Sequence, residues 1–141
     1  VGSEMCIRDR PKKSLKDSIV CIITTAAPFK SGAGDQGPRA PYNAAAKFYK
    51  VYSHPTSIDQ FLGISHLGYD RSHSTAEDIN SFFPMRALFE LAKAGEIRDV
   101  SPRYYGAPTN RSQETTIQID CESILKLVIE DEVDLAILVA N

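Results

Sequence analysis

The stretch SIVCIITTA, Ser18 to Ala26, constrains this chain more than any other. Its β-branched residues run on without the alternation that a half-wet sheet requires, so it predicts a strand buried on both faces. VDLAILVAN, Val133 to Asn141, makes the same demand. FLGISHL, Phe61 to Leu67, reads as another buried strand, and KFYKVYS, Lys47 to Ser53, as an extended segment with alternating aromatics. Strands buried on both faces need cover from helices, and two helices are legible.

Pro84 suits a first helical turn, because its missing N–H has no partner there in any case. Behind it Met85, Leu88, Phe89 and Ala92 recur at helical spacing, and Gly95 stops the run. A second helix is expected from Asp120 as N-cap, with Cys121, Ile124, Leu125 and Val128 on its buried face. Helices alternating with buried strands imply a layered α/β domain with a largely parallel sheet, here expected to be incomplete at its C-terminal side.

VGSEMCIRD at the start has no periodicity and reads as the translation of a sequencing adapter. Residues 1–10 are therefore set aside as a disordered scar, leaving 11–141 as one partial domain. The chain has 141 residues, 43% hydrophobic and 24% charged, an ordinary globular balance. A formal charge of -2 gives no electrostatic case for nucleic acid or an anionic membrane. No apolar stretch is long enough to span a bilayer and no signal-peptide pattern is present, so a cytoplasmic protein is expected. Outside the scar only Cys21 and Cys121 remain, too far apart in sequence for a disulfide framework or a zinc site.

Ligands of open α/β sheets bind beyond the carboxyl ends of strands, so the loops after Ala26, Leu67 and Asn141 are the places to look. GAGDQG, Gly32 to Gly37, satisfies the dinucleotide glycine pattern, but Pro38 and Pro41 oppose the helix that this pattern must open. A flexible loop on the substrate side is the better reading. SHLGYDRSH places Ser65, His66, Tyr69, Asp70 and His73 where a strand releases its chain. His66, Asp70 and His73 could ligate a metal, or the cluster could supply acid and base groups. The plain alternative is a core hydrogen bond for His66 and turn bonds for Asp70 and Ser72. In SPRYYGAPTNR, Arg103 and Arg111, with Asn110 beside them, could bind a substrate carboxylate, although loop arginines are more often merely solvated. A helix start could favour the Cys121 thiolate, but its place on the apolar stripe argues for an inert core thiol, as for Cys21.

Four segments, TTAAPFKSGAGDQGPRAPYNAAAKFYKVYS, ISHLGYDRSHSTAEDINSFFP, SPRYYGAPTNRS and VDLAILVAN, together resemble the glycine/sarcosine/betaine reductase and D-proline reductase family, B-component (selenoprotein B). Ser65, His66, Tyr69 and Asp70 match its ISH-x-x-YD motif, and Phe83, Pro84 and Leu88 match the helix opening that follows. Pro102, Arg103 and Tyr105 match an APRxY-like turn. Ser101, where the family more often has Ala, and Tyr104, where many members have His, are departures; the second weakens transfer of any one substrate.

The resemblance implies an oxidoreductase subunit that cleaves a bond at the α-carbon of an amino acid or N-methylated amino acid. It also implies a selenocysteine or Cys-x-x-Cys redox centre just after Asn141, a pyruvoyl group on a partner subunit, and other subunits of a reductase complex. The fragment itself would hold no cofactor or metal and would be inactive alone. Chemistry and position, rather than the family, suggest His66, Tyr69 and Asp70 as acid, base or orienting groups and Arg103, Asn110 and Arg111 as substrate-binding groups. Two rivals stand beside this reading: a racemase-like enzyme using Cys21 and Cys121 across a cleft, and a non-catalytic amino-acid-binding subunit.

Overall fold

The structure is a computed structural model that describes residues 11–28, 48–57, 62–64, 72–73, 78–109 and 112–140. Strand β1 (Ile19–Thr24) is central, as its composition requires. The parallel strand β7 (Leu135–Val139) pairs with it from Val20↔Leu135 to Thr24↔Val139 and so occupies one whole edge. The other edge is shared by β5 (Asp99–Val100) and β6 (Arg103–Gly106), both parallel to β1. Pro102 falls between β5 and β6, where a residue without an N–H suits the break in the ladder. Outside β6 lies β3 (Tyr52–Pro55), antiparallel to it. The protein is thus an α/β fold with a mostly parallel sheet.

The two faces of β1 are buried by different helices. Val20 and Ile22 face a cluster with Phe83, Val100 and Tyr104 and with Met85 and Leu88 of α1 (Met85–Lys93). Cys21 and Ile23 face the opposite cluster, with Tyr105 and with Ile124, Leu127 and Val128 of α3 (Cys121–Glu130). Alternating side chains of one strand thus enter two cores, which is why the sequence run shows no polar alternation. Helix α1 follows its apolar spacing, with Pro84 as its N-cap, and Gly95 beyond it adopts φ 74°. That left-handed conformation is one glycine accepts without a Cβ penalty, and it stops the helix there.

Four expectations change in detail. The extended segment expected at Lys47–Ser53 forms its strand later, at Tyr52–Pro55. In FLGISHL, the described residues 62–64 contain only a two-residue strand, β4 (Leu62–Gly63), antiparallel to β2 (Ala27–Pro28) and off the main sheet; Phe61 and residues 65–67 lie outside the described residues. Strand β7 is present, but Ala136, Ile137 and Leu138 are exposed. The reason is that, among the described residues, β7 has β1 on one edge and no strand on the other.

The second helix does not begin at Asp120. It starts at α2 (Gln113–Thr115), where the Ser112 hydroxyl accepts from the Thr115 N–H at 3.2 Å. A π turn, Thr116–Asp120, leads directly into α3, so Asp120, though it immediately precedes Cys121, is buried in helical conformation and makes no side-chain capping hydrogen bond. Ile124 is buried and Val128 half-buried as expected, whereas Cys121 and Leu125 are exposed. The stripe that meets the sheet is Ile124, Leu127 and Val128, rotated from the one that spacing predicts. Among the described residues no helix is long and apolar enough to cross a membrane.

Candidate functional site

The chain passes from β1 through α1 to one neighbour of β1, and from β6 through α3 to the other. Because the two helices lie on opposite faces, the connections diverge at the carboxyl ends of the adjacent strands β1 and β6. Such a divergence is where open α/β sheets form their ligand crevice. Two backbone bonds hold that edge together: Thr25 N–H donates to Val139 at 3.2 Å, and Ala107 N–H donates to Thr24 at 2.8 Å. A groove of about 620 Å³ opens beside it between α3 and the sheet. Ile23, Thr25, Ala107, Cys121, Leu125 and Leu138 contribute to its walls, so it is chiefly apolar, with the Cys121 thiol and the Thr25 and Thr116 side chains as its polar groups.

Gly106 ends β6 at this edge. It pairs with Tyr52, and a Cβ built on Gly106 would fall within the Tyr52 ring. The ring cannot swing away cheaply, because its hydroxyl donates to the Ala26 carbonyl at 2.6 Å. Burial raises the Tyr52 phenol above its ordinary range, with nearby Tyr104 adding to the effect. Tyr104 is buried edge-on against Phe83 at 4.8 Å, and burial pushes its phenol up to about 12. It is a core residue here, packed on the α1 face rather than turned to the groove.

Arg103 sits at the opposite end of β6, about 10 Å from Gly106 at the usual strand rise. Its fork is taken by an internal carboxylate: Nε donates to Asp131 at 2.8 Å and Nη2 donates to the second Asp131 oxygen at 2.7 Å. Glu130 lies 3.1 Å from Nη2, and the Tyr105 hydroxyl donates to Asp131 at 2.5 Å. The Arg103 hydrogen bonds hold the Asp131 carboxyl below the usual carboxylate range, assisted by Tyr105 and opposed by burial. Arg103 is correspondingly harder to deprotonate, chiefly through its hydrogen bonds to Asp131 and then Glu130. Burial, and then the bond to Asp131, raise the Tyr105 phenol. The sequence reading of Arg103 as a carboxylate binder is chemically apt, but the carboxylate it holds belongs to the end of α3. Asp131 carried no sequence signal beyond its place after the helix.

His66, Tyr69, Asp70, Asn110 and Arg111 lie outside the described residues, as do Gly32–Gly37 and Asn141. His73 is exposed in a turn. Among the described residues no three His, Cys, Asp or Glu side chains gather in a way that could hold a metal. Cys21 is 1% exposed, and burial, reinforced by the charge of Asp131, pushes its thiol up to about 12. It is therefore a poor nucleophile at neutral pH, because the anion is the reactive form. Cys121, expected in the core, stands exposed on the groove wall. Comparison with protein-family models, curated proteins and solved structures finds no match for this chain.

Proposed function

We propose that this chain is part of the α/β subunit of a selenol- or thiol-dependent reductase that cleaves a bond at the α-carbon of an amino acid or N-methylated amino acid. The ordered motifs from Thr24 to Asn141 support the reading, and one structural observation carries it furthest. Strand β7 runs parallel to β1 in continuous register, and it releases the chain at Ala140 on the edge where the helical connections diverge. A redox pair following that strand would sit at the crevice, beside Thr25, Ala107 and the exposed Cys121.

A selenol or a Cys-x-x-Cys pair there would supply the nucleophile and the thiol that resolves its adduct, which suits the chemistry because a low-pKa chalcogen is already anionic at neutral pH. The described residues do the positioning. Gly106 lets β6 close against Tyr52, and Cys21 stays protonated within the sheet, out of reach of the reaction. Arg103 ties α3 to β6, which leaves the substrate carboxylate to Asn110 and Arg111, with His66, Tyr69 and Asp70 as acid, base or orienting groups. The two-cysteine racemase reading requires two accessible thiols, and the burial of Cys21 weighs against it.

The test begins with the nucleotides after the Asn141 codon. UGA or a Cys codon, followed in frame by two codons and then a Cys codon, supports the reading; UAA, UAG or an unrelated frame removes it. A protein extended through that pair, supplied with its partner subunits and a dithiol, should reductively cleave glycine, sarcosine, betaine or D-proline. Tight amino-acid binding without any dithiol-dependent product would point instead to a binding subunit.

A further inference from the structure

We draw no further inference here: the strongest candidate, the exposed apolar surface made by Leu138 on the outer edge of β7 with Leu125 and Ile129 of α3, carries none because nothing in the structure shows what covers it.

Discussion

Gly106 and Tyr52 form a contact that leaves no room for a methyl group. Gly106→Ala must push the Tyr52 ring off its bond to Ala26 or separate β3 from β6, at a cost of about 1–3 kcal/mol. Urea unfolding of the two proteins should show a lower midpoint for the variant at an unchanged slope; equal midpoints would mean the ring relaxes freely. The cysteines offer a second residue-level contrast. In a Cys6→Ser protein, Cys121 should react with a thiol reagent within the first fast phase, whereas Cys21 should react only on unfolding. Rapid modification of both would contradict the buried position of Cys21 and reopen the two-thiol reading.

At the scale of elements, the end of α3 is fastened to β6 through Asp131. Its folded carboxyl is held below the value near 3.9 expected of an unfolded chain, so the fastening contributes stability in full above that value. The contribution fades as pH falls through the folded value. Asp131→Asn should therefore be less stable than the parent at pH 7, with the gap closing below about pH 4. Urea midpoints at pH 7 and pH 3 decide this, and a gap that persisted undiminished at pH 3 would remove the charge from the account. Asp134, held down first by Lys13 and then by the Ile19 N–H, makes the parent acid-labile in the same direction, so the comparison is between the two proteins. The start of the helical run is a separate lever. Ser112→Ala loses the hydroxyl that accepts from Thr115 and should cost about 1 kcal/mol.

For the whole molecule, the sheet's centre should be sensitive to substitution and its outer edge tolerant of it. Ile22 is 0% exposed, and Ile22→Ala should cost about 2–5 kcal/mol, enough to abolish cooperative unfolding in a marginal domain. Leu138 is 68% exposed on β7, so Leu138→Lys should leave the midpoint nearly unchanged while placing a charge on an aggregation-prone edge. Light scattering on heating should fall in that variant; scattering equal to the parent's would acquit β7 as the sticky surface.

What local sequence determined is the set of features whose causes are local. The unbroken β-branched run specified β1 and its two dry faces, and Pro84, the apolar spacing and Gly95 specified α1. The apolar run before Asn141 specified a strand but not its burial, because exposure of Ala136, Ile137 and Leu138 depends on which elements stand beyond them. The π turn at Thr116–Asp120 was equally illegible. It departs from the regular i→i+4 ladder and rotates the stripe that follows, which took Cys121 out of the core and Asp120 into it. Arg103 announced its chemistry through its planar fork, but its partner arrives from α3, 28 positions later in the chain. Spacing reports periodicity and residue type; which groups finally meet was decided by helices docking on opposite faces of one sheet, and only the tertiary structure contains that.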